Sequence, residues 1–108
     1  MHDPRRIVFE ILQPRFPAGF SFLDFERAMA RFEFVPVRVA SEVVGAILRD
    51  GPELHAAVLE PARGRWISRA VLRLVSDTIR QHGHARTTVM RGHEIGHVFA
   101  RRMGFAEV

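Results

Sequence analysis

The hydrophobic period of this chain changes at Phe34, and that switch limits the folds open to it more than any other feature. Val35, Val37 and Val39 alternate with Pro36, Arg38 and Ala40, the period of a strand, and Pro36 favours an edge or a bulge because it has no N–H for a neighbour. Upstream the spacing is helical. Asp3-Pro4 reads as an N-cap and first-turn proline ahead of Ile7, Val8, Ile11 and Leu12, which predicts a helix over 4–13 that Pro14 and Pro17 end. Ser21 with Asp24 resembles a capping box, and Phe22, Phe25, Ala28, Met29 and Phe32 form the apolar stripe of a second helix. Downstream, strands are expected over 43–48 and 54–59, separated by Arg49-Asp50-Gly51-Pro52, whose Asp-Gly pair supplies the positive φ of a tight turn. Three antiparallel strands in a meander are the simplest reading. An amphipathic helix over 66–82 follows, with Ile67, Ala70, Val71, Leu74, Val75, Thr78 and Ile79 on one face and Arg69, Arg73, Asp77 and Arg80 on the other, and Gly83 stops it. A strand-like run over 85–90 and a last helix over 93–103 complete the pattern. The fold class is α+β, with a mixed, mostly antiparallel sheet flanked by helices.

The 108 residues suffice for one hydrophobic core, so a single domain over 1–108 is expected. With no cysteine, disulfides, thiolate zinc sites and cysteine nucleophiles are excluded. The apolar runs fall far short of the roughly 20 residues that span a bilayer, and Met1-His2-Asp3-Pro4-Arg5-Arg6 lacks the apolar segment of a signal peptide. A soluble, cytoplasmic protein without a membrane partner is the expectation. Basic residues outnumber acidic ones, 16 to 12, and every one is Arg, scattered along the chain. Such an excess suits a polyphosphate ligand as well as a nucleic acid, and the absence of a basic stripe argues against the nucleic acid.

The segment richest in chemistry is the third strand, which runs through Glu60-Pro61-Ala62-Arg63-Gly64 into the long helix. A strand that feeds a helix through a small-residue loop leaves backbone N–H groups unpaired at the positive end of the helix dipole, an arrangement that binds phosphate. Gly64 permits close backbone approach, Ser68 can add a hydroxyl donor, and Arg63 and Arg65 can pair with phosphate oxygens. An ordinary surface loop with one Gly between two Arg residues reads the same way.

Val58-Leu59-Glu60-Pro61-Ala62-Arg63-Gly64-Arg65-Trp66-Ile67-Ser68-Arg69-Ala70 resembles, at the same spacing, the Val-x-Pro-x-x-Arg-Gly-x-Gly-x-Gly-x-Ala run of the GCN5-related N-acetyltransferase (GNAT) superfamily. Val43-Val44-Gly45 is similar to a Val-Val-Gly common in that family's preceding strand, and the stretch from His93 through Ala100 to Gly104-Phe105 is similar to its closing helix. Arg-Gly-Arg-Trp looks like the variant of small phage-encoded members. The resemblance covers 34–108 and implies a minimal acyl-CoA N-acyltransferase core. It implies acetyl-CoA held by Val58, Leu59, Arg63, Gly64, Arg65, Trp66, Ile67, Ser68 and His93, and transfer of the acetyl group to an unknown amine. The oxyanion would meet a backbone N–H near Val58 or Leu59. Glu53 and His55 are the candidate bases: alternation puts them on one face of the strand that resembles the family's cofactor-contacting strand. A solvated strand-end Glu beside a hydrogen-bonded His is the plainer reading of the same pair.

Departures from the family pattern carry expectations of their own. Trp66 and Ser68 stand where the loop usually has glycines, His93 replaces the usual Asn, and Ala100 stands where many members carry a tyrosine that protonates the leaving thiolate. The sequence ends where the family's last two strands would begin, which leads to the expectation of a homo-oligomer or a phage protein partner completing the acceptor side. A catalytically degenerate GNAT-fold structural or interaction protein, virion-associated in a phage, is therefore one alternative. Another is a zinc metallopeptidase, because His93-Glu94-Ile95-Gly96-His97 satisfies the pattern of two His one helical turn apart with a Glu between them. Extended metzincin spacing asks for His at 103 and finds Met103, so no metal is assigned.

Overall fold

A computed structural model describes residues 3–87. Its elements are helices α1 (Pro4–Leu12) and α2 (Phe22–Ala28), strands β1 (Glu33–Val39), β2 (Glu42–Asp50) and β3 (Glu53–Val58), and helix α3 (Arg69–His82). Asp3 caps α1 by accepting from the Arg5 N–H, and Ser21 and Asp24 close the capping box that starts α2.

The strands form the expected antiparallel meander in the order β1-β2-β3. Gly51, at φ 58, takes the first central position of the two-residue β2–β3 turn. Pro52 then fixes a negative φ at the second position, the combination a II′ hairpin turn needs. In β1, Pro36 sits on the outer edge strand, and the register slips between Val37 and Arg38. That bulge adds one residue to β2 and lets Val44 and Ile47, an odd number of positions apart, reach the same face.

Two apolar clusters sandwich the sheet. On one face Val71 and Leu74 of α3 pack with Val37, Val44, Ile47, Leu54, Val58 and Trp66. On the other, Val8, Phe9 and Phe25 of α1 and α2 pack with Phe32, Phe34, Ala46, Leu48 and Ala57. This second cluster is built largely of phenylalanine rings 4.7–6.2 Å apart, mostly tilted or edge-on.

The structure corrects several bounds. The second helix ends at Ala28, so Met29 and Phe32 of its expected stripe lie beyond the helix while still packing in the aromatic cluster. The long helix begins at Arg69, not at 66, because Ser68 is its N-cap and accepts from the Val71 N–H at 3.3 Å. Ahead of it, Glu60–Ala62 form a 3-10 turn. The third strand ends at Val58, although the Leu59 N–H still donates to Val44 O at 2.8 Å. After α3, which Gly83 ends at φ 81, the chain returns alongside β3 and Arg86 pairs in parallel with Glu53. The rest of the expected 85–90 strand and the 93–103 helix lie outside the described residues.

Candidate functional site

The β3–α3 connection turns tightly on itself. The amides of Ala62, Arg63 and Arg65 donate to Leu59 O, Glu60 O and Ala62 O at 3.0, 3.1 and 3.0 Å. The Arg65 guanidinium folds back to Pro61 O at 3.0 Å. Gly64 adopts φ 88, where an L side chain is strained, yet open space surrounds its missing Cβ. Trp66 is buried in the α3-side cluster, and the Ser68 hydroxyl is committed to the cap. Arg63, Gly64, Ile67 and Ser68 are exposed. The amides of Gly64, Ile67, Arg69 and Ala70 meet no acceptor among the described residues, so the vacant donors flank Trp66 and run into the first turn of α3.

Beside this loop lies the outer edge of β3. Leu59 N donates to Val44 O, so the odd-numbered residues of β3 turn their backbone groups toward β2 and the even-numbered ones turn theirs outward. The Leu54 N–H uses that outward direction, donating to Arg86 O at 2.8 Å, while Arg86 N donates to Pro52 O at 2.9 Å. Farther along, the amides of Ala56 and Val58 meet no acceptor among the described residues. Ala56 is also exposed although its same-face neighbours Leu54 and Val58 are 5% and 8% exposed. The edge is thus paired at the start of β3, and toward its carboxyl end its N–H groups point outward without an acceptor among the described residues. Of the two main-chain groups expected to meet an oxyanion, Val58 offers its N–H outward and Leu59 has spent its own.

Glu53 and His55 share a face, as alternation requires, and touch: His55 Nε2 lies 2.5 Å from Glu53 Oε2, with both side chains partly buried. Their face is that of α1 and α2, since the His55 ring meets Phe32 edge-on at 5.7 Å. Arg31, in the connection between α2 and β1, clamps Glu53 with Nη1–Oε1 at 3.4 Å and Nη2–Oε2 at 3.3 Å, and holds Asp50 at 2.6 Å. Its guanidinium stacks 4.0 Å over the Phe32 ring. The hydrogen bond from His55, and then the guanidinium of Arg31, hold the Glu53 carboxyl below the usual carboxylate range.

Two of the expected groupings are therefore separate. At about 3.4 Å per residue, the His55 ring sits roughly 10 Å along β3 from Val58, and on the sheet face opposite Trp66 and α3. Arg31 and Asp50 were not singled out in the sequence. Asp50 reads there as a turn residue, and nothing local ties Arg31 to Glu53, which is 22 positions away. His93 and His97 lie outside the described residues, among which no group of three His, Cys, Asp or Glu could hold a metal ion. No helix of the described residues is long and apolar enough to cross a membrane. In comparisons with known proteins, the chain matches no family model, no curated protein and no solved structure.

Proposed function

We propose that the chain binds acetyl-CoA and acts as a GNAT-like N-acetyltransferase on an amine. The observation that carries this reading is the run of outward main-chain donors from the carboxyl end of β3 to the start of α3. There the amides of Ala56 and Val58 meet no acceptor among the described residues, Ala56 is exposed, and the chain passes into Gly64 and the first-turn donors of α3, which likewise meet none among the described residues. A ligand that ends in a diphosphate and continues as an amide-bearing arm suits that sequence of donors: anionic oxygens at the helix N-terminus, amide oxygens along the strand edge. The parallel return of the chain at Arg86 makes β3–α3 a crossover unit, and open sheets bind ligands at the carboxyl ends of such strands.

Bound acetyl-CoA supplies an activated thioester carbonyl. What the chain supplies is the Val58 N–H, directed where negative charge develops, Arg63 beside the phosphate end, and a proton acceptor in the Glu53–His55 pair. The pair stands roughly 10 Å along β3 from Val58, so it would take the amine's proton only through a chain of bridging water. With no tyrosine in the chain, the leaving thiolate would take its proton from solvent.

A second reading, a GNAT-like fold kept for binding or assembly without turnover, is favoured by one observation. Trp66, at a position where the resembled loop has a glycine, is committed to the α3-side core, and the Ser68 hydroxyl is spent on the cap.

Thermal melts with acetyl-CoA test the cofactor claim, since a ligand that binds only the folded state raises the melting temperature. Gly64→Asn and Gly64→Asp accept the positive φ alike and differ in charge. The proposal expects Asn to keep the shift and Asp to abolish it. No shift for the unmodified chain at millimolar acetyl-CoA rejects the cofactor, whereas a shift without thioester cleavage in the presence of amines selects the second reading.

A further inference from the structure

The geometry points to Arg31 as a positioning residue that fixes the tautomer of His55 through Glu53, leaving His55 Nδ1 as the proton acceptor of the site. The inference deepens the transferase reading and rests on it for what the proton is taken from. The arrangement itself stands on the cluster alone.

Four side chains from three parts of the fold converge. Asp50 and Glu53 flank the β2–β3 turn, His55 follows on β3, and Arg31 reaches them from the α2–β1 connection. An ionised carboxylate only accepts hydrogen bonds, so the contact between Glu53 Oε2 and His55 Nε2 places a proton on Nε2. The neutral imidazole then carries its lone pair on Nδ1, which meets no hydrogen-bond partner among the described residues. Glu53 can hold the ring only while its own carboxylate is held, and Arg31 does that with one contact to each oxygen. A bidentate guanidinium fixes the plane of a carboxylate as well as its charge. Arg31 is in turn anchored by Asp50 at 2.6 Å and by the Phe32 ring beneath it, the same ring that meets His55 edge-on.

Two carboxylates against one guanidinium leave a net negative surround on the Nε2 side of the ring. Among the described residues, the charged groups linked to His55 are Glu53 on its own strand, Arg31 from the α2 side and, through Arg31, Asp50 at the end of β2. Arg49, the remaining cation of that hairpin, is committed to Glu33. Sequence reading makes Glu53 and His55 equivalent candidate bases. The structure separates them into an orienting carboxylate, held by Arg31, and the imidazole that accepts.

The test is ¹⁵N–¹H correlation NMR of the imidazole rings in the full chain without ligand, with His55 assigned by its loss in His55→Gln. The expected result, at a pH where the ring is neutral, is a single tautomer protonated at Nε2, with an Nδ1 resonance of the unprotonated type. Arg31→Gln should give a mixture of both tautomers and fast exchange of the Nε2 proton. Arg31→Lys, which keeps the charge without the fork, should fall between the two. Asp50→Asn loosens the anchor of Arg31 and should shift the tautomer ratio in the same direction, which keeps the test decisive if Arg31→Gln does not fold. A wild-type ring protonated at Nδ1, or variant spectra that superimpose on wild type, overturns the inference. Because no acetyl-CoA is present, failure of the cofactor claim leaves this measurement intact, and its failure leaves the cofactor claim standing.

Discussion

Trp66 shows how one residue can belong to a motif and to the core at once. It follows the Arg63-Gly64-Arg65 run, where the resemblance led to the expectation of a loop position against a ligand, and it is instead 7% exposed among Ile47, Val58, Val71 and Leu74. A buried indole truncated to a methyl loses its transfer free energy and leaves a cavity, so Trp66→Ala should cost about 3–5 kcal/mol in urea unfolding. A cost below about 1 kcal/mol would mean that the ring is not part of the core. Gly45 is constrained differently: a Cβ there would meet the Ala57 carbonyl oxygen, and it would lie 2.8 Å from Val58 Cα. Both are backbone atoms of the paired strand and cannot step aside as a flexible side chain would. Gly45→Ala should therefore cost at least the roughly 1–3 kcal/mol of ordinary overpacking, read from the same unfolding curves. In the sequence Gly45 stands out only through its resemblance to a family motif, because close approach of a neighbouring strand leaves no local trace. The Glu53–His55 contact was legible, since two positions along a strand always share a face. Arg31 was not, because its partners come from a hairpin that only the folded sheet brings near.

At the scale of elements, the parts that were legible carry their own local signals: the Asp3 cap, the Ser21–Asp24 box, the alternation of β1 and the Asp50-Gly51 turn. The β1–β2 turn carries none. Ala40 and Ser41 link paired Val39 and Glu42, and both adopt positive φ, 50° and 72°, the conformation of a type I′ hairpin turn. Neither residue favours that region, where Cβ crowds the following carbonyl at about 1–2 kcal/mol per residue. The turn is imposed by pairing of the flanking strands, which is why the sequence hides it. Replacing the pair with Asn-Gly should relieve that strain and raise stability by about 1–2 kcal/mol. Chemical denaturation of the double variant measures this, and unchanged stability would mean that the hairpin twists differently. The start of α3 was hidden for a related reason. Apolar periodicity alone carries the helix back to 66, but burial of Trp66 holds the chain off helical geometry until Ser68 can cap it.

Across the whole molecule, the α2–β1 connection and the β2–β3 hairpin are held together through ionised groups, which makes acid the condition that most directly tests the arrangement. Among the described residues two carboxyls sit below their ordinary range: Asp24, through the backbone and then the side-chain hydrogen bond of Ser21, and Glu53, through His55 and then Arg31. A carboxyl whose folded value lies below its unfolded one binds fewer protons in the native state, so its contribution is complete above the unfolded value, about 4, and is lost as pH falls through the folded one. The two groups start α2 and tie its far end to the sheet, so their protonation loosens the aromatic cluster from both sides. The urea midpoint should hold steady from neutral pH down to about 5 and fall below about 4. In Asp24→Asn/Glu53→Gln the midpoint at neutral pH should start lower and then decline less steeply over the acid range, because two acid-linked contributions are gone. A double variant that loses stability with pH as steeply as wild type would assign the acid sensitivity to other carboxyls and reduce the Arg31 clamp to a surface ion pair.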